Sequence, residues 1–362
     1  INPDGTLGER NGVVATNLEK KMGLKGSTTC ELTFGMDRPA VGYLMGGVHD
    51  GIRQMFRVIE HARMVIGTKS ASTLSTGYLN ALEYARERVQ GPDMTRMTDK
   101  TAPRVRIISH PDVRRMLMRQ KAYAEGLRAL WTYAAWIQQM AVLEPEGPWQ
   151  RRSDLLLPLV KGYSSEKAYE MLSLSLQVLG GSGYIQDYPI EQYLRDAKID
   201  TVYEGTTGIQ AMDLFFRKIA RDQGQTLAAV AAEIGDFVKG GADDDPLASE
   251  RETLAVMLDD VQGHLGVMVE SLMEYMEGDA PRIYLTGLHA NALLESMAEV
   301  VIAWQLLRHA EVAGPRSDEP FHAGKVASAR YFVADVAPKV AARKAAALRE
   351  DGSLMEMDEL AF

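Results

Sequence analysis

The stretch from Val48 to Arg88 limits the possible folds more than any other. Ile52, Met55, Phe56 and Ile59 recur at i, i+3, i+4 and i+7, and Leu74, Tyr78, Leu82 and Ala85 continue the stripe. That spacing predicts one helix of roughly 40 residues, or two set end to end. A helix of such length must lay its apolar stripe on other helices, so a bundle is required. A second long pattern follows. Ser109-His110-Pro111-Asp112 reads as a helix start, with capping-box spacing between Ser and Asp and a proline in the first turn. Met116, Leu117, Tyr123, Leu127, Leu130, Trp131 and Ala134 then carry the helix to about Leu143. Between the two patterns, residues 91–106 are polar and punctuated by Pro and Gly, which predicts a loop.

The flanking text differs in character. Residues 1–45 read as β-rich: Val13–Leu18 and Cys30–Gly35 are short β-prone runs separated by Gly-rich text, and Pro39 marks a break. After Leu143, residues 144–154 read as a loop and 165–179 as a third helix ending at Gly180-Gly181-Ser182-Gly183. A short helix follows Pro189, and Thr207-x-x-Gln210 has the spacing of a capping box that opens the next one. Beyond residue 222 come Ala-rich amphipathic stretches over 226–239, 249–277, 281–313 and 321–349. Gly240 to Pro246 reads as a linker, and the acidic tail, 350–362, as a frayed end. The expected class is mainly α, with a partial β-domain over 1–46, a helical bundle over 47–221 and an appended helical domain over 222–362.

Composition removes several functions. The net charge of −9 lacks the basic excess that a phosphate-reading surface needs, so nucleic acid is not an expected partner. No apolar run reaches the length of a membrane span. The one cysteine, Cys30, forbids an intrachain disulfide, reads as a small core residue and fits a reducing, cytoplasmic setting. The seven histidines are scattered, and no HExxH, paired CxxC or EF-hand loop is present, so no metal site is expected. A GxxxxGK[ST] phosphate loop and a GxSxG elbow are also lacking.

The segment around Glu204 is more specific. Gln177-Val178-Leu179-Gly180-Gly181-Ser182-Gly183-Tyr184, Tyr188-Pro189-Ile190-Glu191, Arg195-Asp196-Ala197-Lys198-Ile199 and Tyr203-Glu204-Gly205-Thr206 resemble, in order and spacing, the C-terminal signature of the acyl-CoA dehydrogenases. Glu19 to Ser27 looks like the last β-domain segments of that family, and Tyr84 to Arg88 like the end of its first bundle helix. The resemblance covers about residues 1–220; the extension looks like the extra helical domain of the longer branch, similar to methylthiopropanoyl-CoA dehydrogenase-like enzymes. It implies the family's four-helix bundle between a β-domain remnant and a second helical domain. It also implies a chain cut at its N-terminal side, since the text opens INPDGTLGERNGV, inside what would be the β-domain.

The resemblance implies a flavin enzyme. FAD takes the β-hydrogen of an acyl-CoA as hydride while a carboxylate takes the α-proton, giving a trans-2-enoyl-CoA. Electrons would pass to an electron-transferring flavoprotein, and the assembly would be a homodimer or higher homo-oligomer. Glu204 matches the base. A thioester α-proton is a poor acid, so its removal needs an oriented base and donors at the carbonyl oxygen. Desolvation is expected to raise the Glu204 carboxyl, against the opposing pull of the helix start at Thr207. Its backbone N–H would help polarise the thioester carbonyl. Thr206 matches a flavin-contacting threonine; Arg88, Gln177, Gly180 and Gly181 match positions around a neighbouring subunit's FAD. Glu60 and Arg63 match positions near the CoA ester, and they stand one helical turn apart, where they could instead pair. Tyr203 would line the acyl pocket, with Gly205 beside it. Two departures weaken the cofactor contacts: Gly208 replaces a polar residue of many relatives, and Val89-Gln90-Gly91 lacks their aromatic. Two further readings stay open on sequence: a non-catalytic helical scaffold or oligomerisation module, and an acyl-CoA oxidase.

Overall fold

The structure, a computed structural model, describes residues 1–362 apart from Asp243, which falls inside the stretch read as a linker. The fold is mainly helical, and the chain divides into two compact units, Ile1–His61 and Ala62–Phe362.

In the first unit, β1 (Val13–Leu18) pairs antiparallel with β2 (Cys30–Phe34), Val13 opposite Phe34 and Leu18 opposite Cys30. The Thr16 and Thr33 hydroxyls meet across the pair at 3.0 Å. Two strands alone bury little. Leu18, Leu32 and Phe34 are exposed, and Cys30 is half-buried instead of lying in a core as expected. The long helix predicted from Val48 is a single helix, α1 (Gly51–Glu87), which begins in this unit.

The second unit opens on the rest of α1. The expected loop over 91–106 contains a small hairpin: β3 (Val89–Pro92) pairs with β4 (Arg104–Arg106). Asp93 and Asp99 fold the text between them by accepting from the backbone N–H and hydroxyl of Thr95 and Thr101, two residues on. The second long helix is α2 (Pro111–Leu143). Pro111 takes its first position, so the N-cap is His110 and Ser109 falls one residue too early to cap it.

The next helix starts earlier than the sequence pattern indicates. Trp149–Pro158 forms α3, a π-turn spans Leu159–Tyr163, and α4 (Ser164–Leu179) continues. Leu155, Leu156 and Leu157 are all buried, so this segment lacks the one-sided period that marks a surface helix. Pro158 cannot donate the regular helical bond, and the π-turn follows it directly. Gly181–Tyr184 (α5), Ile190–Ala197 (α6) and Thr207–Met212 (α7) follow, and a second π-type segment spans Asp213–Ala220.

The later stretches form α8 (Gln225–Lys239), α9 (Ala248–Glu277), α10 (Ile283–Ala313) and α11 (Pro320–Ala347), close to the predicted bounds. The tail forms two short 3-10 turns, Ser353–Glu356 and Glu359–Ala361. From Leu293 to Leu307, α10 is almost wholly buried, because α2, α9, α11 and the π-turn surround it. One apolar core therefore runs from Leu127, Leu130 and Ile137 on α2 to Ile302 and Leu306 on α10 and Phe332 on α11. A smaller core joins Ala81 and Ala85 to Leu117, Leu179 and Ile190. Among the described residues, no helix is long and apolar enough to cross a membrane.

Candidate functional site

Glu204 stands at the mouth of α7, where two consecutive residues have left-handed backbone: Glu204 at φ +57° and Gly205 at φ +93°. A non-glycine residue in that region is strained and needs its surroundings to hold it. Four hydrogen bonds from three side chains do so. Arg63 on α1 donates through Nε to the Glu204 carbonyl at 3.1 Å. Gln210 on α7 donates through Nε2 to the same carbonyl at 3.1 Å and to the Gly205 carbonyl at 3.4 Å. Lys161, from the π-turn, donates through Nζ to the Gly205 carbonyl at 2.6 Å.

The Glu204 side chain itself is half-buried, and among the described residues its carboxylate has no hydrogen bond or ion pair. Its backbone N–H likewise finds no acceptor. One residue thus offers an unclaimed carboxylate and an unclaimed donor, while its carbonyl is tied down.

The helix start differs by one residue from the expected capping box. Thr206 is the N-cap, and its hydroxyl oxygen accepts the Ile209 N–H at 3.4 Å. Thr207 instead donates to Glu166 Oε1 at 2.6 Å, and Gln210 turns to the two carbonyls. Since Thr206 only accepts from its helix, its exposed O–H remains able to donate outward.

Behind Glu204, Tyr203 donates to Asp200 Oδ1 at 2.8 Å, and Lys69 on α1 donates to the same oxygen at 2.6 Å. Burial raises the Asp200 carboxyl above its ordinary range in spite of Lys69. Burial and the Asp200 charge push the Tyr203 phenol upward too. Burial pulls the Lys161 ammonium down to about 8. Arg63, expected near a CoA ester, is itself buried and also pairs with Asp213 Oδ2 at 3.6 Å. Glu60 is an exposed helix residue of the first unit.

The predicted residues thus fall into groups. Arg63, Tyr203, Glu204, Gly205 and Thr206 come together. Arg88, Gln177, Gly180 and Gly181 lie at the far end of the bundle, some 25 residues or about 37 Å further along α1. There the Tyr84 hydroxyl meets Ser182 Oγ at 3.2 Å and its ring packs edge-on to Tyr188 at 5.6 Å. Arg88 and Gln177 are exposed, and the Arg88 guanidinium has no partner among the described residues. A Cβ added at Gly180 or Gly181 would meet nothing within 4 Å. No group of three or more His, Cys, Asp or Glu among the described residues could hold a metal.

Sequence reasoning missed Lys161, Lys69 and Asp200, and took Gln210 for a capping residue. One signal was available for Lys161: it is the single charge in the apolar run Leu155 to Tyr163. The other two carry no local sign, because their partners are 131 residues apart.

Residues 49–217 match the family described as acyl-CoA dehydrogenase, C-terminal domain, and residues 230–358 the one described as acetyl-CoA dehydrogenase C-terminal like. The chain is 53% identical over 371 residues to the broad-specificity linear acyl-CoA dehydrogenase FadE5 of Mycobacterium tuberculosis, covering 99% of this chain and 61% of that protein. It is 33% identical to a butyryl-CoA dehydrogenase of Syntrophomonas wolfei, covering 100% of this chain and 60% of the relative. It is 34% identical to the 3-methylmercaptopropionyl-CoA dehydrogenase of Ruegeria pomeroyi, covering 92% and 56%. The chain therefore spans about three-fifths of the length of these curated relatives. An acyl-CoA dehydrogenase of Bacillus anthracis solved with FAD shares the fold, with a TM-score of 0.74 at 20% identity over 96% of this chain and 58% of that one. Two consecutive family matches account for the bundle and for the helices after it, and agreement with a relative runs through both; the chain belongs to the acyl-CoA dehydrogenase family.

Proposed function

We propose that the protein carrying this chain dehydrogenates an acyl-CoA thioester to the trans-2-enoyl-CoA, with Glu204 as the base that removes the α-proton. One observation carries the reading: the Glu204 carboxylate is half-buried and, among the described residues, unpartnered, while three side chains hold the backbone of Glu204 and Gly205. A helix-flanking surface glutamate needs no such support. Its free N–H, on the same residue, is suited to the thioester carbonyl oxygen, where negative charge develops as the proton leaves. Base and donor then share one strained backbone, so their relative aim follows from φ at Glu204.

The residues present fit FAD. At the far end of the bundle, where Tyr84 meets Ser182, Arg88 is exposed and unpaired among the described residues, and the Gly180 and Gly181 backbone has open space above it, which suits a phosphate-bearing ligand. Gln177, Gly180, Gly181 and Arg88 would hold the cofactor of a neighbouring subunit, and Thr206 would donate to a flavin beside Glu204. Bound FAD supplies the hydride acceptor. The distance between the two groups favours an assembly in which two copies of the chain serve one cofactor, hence a homodimer or larger oligomer. Tyr203, held by Asp200, would line the acyl pocket. Electrons would leave through an electron-transferring flavoprotein. The division into 1–46, 47–221 and 222–362 belongs to the same proposal.

The test is Glu204→Gln in the flavin-loaded protein. The amide is nearly isosteric and cannot act as the base. Flavin content is expected to stay at the wild-type level while bleaching by an acyl-CoA is lost; undiminished bleaching would remove Glu204 from the mechanism.

A further inference from the structure

Lys161 is anomalous on physical grounds. It is 0% exposed, yet no carboxylate pairs with it among the described residues, and its one hydrogen-bond acceptor there is the Gly205 carbonyl at 2.6 Å. Buried ammonium groups are costly unless paired, and apolar residues would fill the same turn without that cost. Among the described residues the one bond of this buried cation goes to Gly205, the residue after the proposed base.

The turn that presents Lys161 is itself fixed on three sides. On the α1 side, Gly67 leaves room for it: a Cβ there would lie 2.3 Å from Val160 Cγ1 and 2.8 Å from the Val160 carbonyl. On the α10 side, a Cβ at Gly162 would stand 3.2 Å from Leu294 Cδ1, and Tyr163 donates to Glu299 at 3.2 Å. On the α7 side, the same Gly162 position would be 3.4 Å from Gln210 Cβ. A π-turn also aims its side chains differently from a regular helix, and such turns recur at functional sites. The ammonium is thus delivered from a rigid support to a strained loop.

We propose that Lys161 is a positioning residue for the base: its ammonium holds the Gly205 carbonyl and so keeps Glu204 and Gly205 in their left-handed conformation, with the Glu204 carboxylate and N–H aimed together. Nearby charges agree with this role. Burial lowers the proton affinity of Lys161, while Glu166, Asp200 and Glu204 favour its cation and Arg63 opposes it. Arg63 and Gln210 restrain the Glu204 carbonyl; Lys161 makes the shortest of the four bonds, and makes it to Gly205.

This role rests on Glu204 being the base, so the experiment separates the two. A 3-thia-acyl-CoA has an acidic α-position but cannot complete oxidation. Exchange of its α-hydrogen with D2O, read by mass spectrometry in the flavin-loaded protein, therefore reports proton removal alone. Wild type is expected to exchange, and Glu204→Gln not to; a silent wild type, or an exchanging Glu204→Gln, overturns the base assignment and this proposal with it. With the base assignment intact, Lys161→Met and Lys161→Gln are expected to slow exchange by about tenfold or more. The Kd for the CoA ester, the flavin content and the Tm are expected to stay at wild-type values, since the lost group was a buried charge. Lys161→Arg, which keeps a cationic donor, should restore a substantial part of the rate. Wild-type exchange in either neutral variant overturns the proposal while leaving Glu204 as the base. Loss of the fold in both neutral variants makes Lys161 a structural residue and overturns it as well.

Discussion

Arg343 on α11 donates through Nη1 to the fully buried Glu299 carboxylate on α10 at 2.6 Å. Tyr163 donates to the other oxygen of Glu299, and Arg343 reaches Glu295 as well. The pair therefore joins the last two long helices to the π-turn beside Glu204. Burial raises the Glu299 carboxyl, with Arg343 pulling against it. Removing one partner of such a pair leaves a charge without compensation. Arg343→Met is expected to lower stability by about 3–5 kcal/mol, measured as a shift in the urea midpoint. Arg343→Met combined with Glu299→Gln should recover part of the loss. A single-variant loss below about 1 kcal/mol would mean that the carboxylate reaches water once unpaired.

His264 on α9 and His289 on α10 pack edge to face, ring centres 5.8 Å apart. Among the described residues, neither nitrogen of His264 has a hydrogen-bond partner, nor does Nε2 of His289. Burial, then the neighbouring His289, holds His264 down to about 4 from 6.5. The folded chain thus binds fewer protons than the unfolded chain between those values. The stability gained from the neutral ring is full above pH 6.5 and is lost as pH falls toward 4, by about 2–3 kcal/mol for this group. His264→Phe is expected to flatten the fall in Tm between pH 7.5 and 4.5; an unchanged slope would place the acid sensitivity elsewhere.

Gly205 has φ +93°, and a Cβ there would stand 2.7 Å from Gln210 Nε2. Gly205→Ala adds backbone strain and displaces one of the restraints on the Glu204 carbonyl. Stability should fall by about 1–2 kcal/mol. Flavin bleaching by an acyl-CoA should slow by about tenfold or more with flavin content retained. Wild-type bleaching kinetics would show that the loop tolerates a different backbone.

Arg88→Ala should leave the fold intact, because the side chain is exposed and its guanidinium makes no hydrogen bond or ion pair among the described residues. Its expected effect is a weaker hold on FAD, read as a lower flavin-to-protein absorbance ratio after dilution and gel filtration. Equal flavin retention would take Arg88 out of the cofactor site.

Much of this fold is local and therefore legible. The stripes of α1, α2, α8, α9 and α11 repeat at helical spacing, and β1 and β2 are bounded by turn residues. The position of Glu204 before a helix start was readable in the same way, since a cap is a matter of adjacent residues. The small errors also have local causes: Pro111 shifted one cap to His110, and Thr206 pre-empted the cap assigned to Thr207.

Three features depended on tertiary structure. The first was the start of α3: Leu155 to Leu157 are buried on every side, and complete burial erases the amphipathic period that sequence reading relies on. The second was the anchoring of Glu204, which draws on Arg63, 141 residues away, and on Lys161, 44 residues from Gly205. The third was the seat of the π-turn between α1, α7 and α10. Local spacing determined which segments are helical and where the carboxylate falls in the chain. Which side chains hold it there was decided by packing, because a hydrogen bond across such separations leaves no period in the sequence.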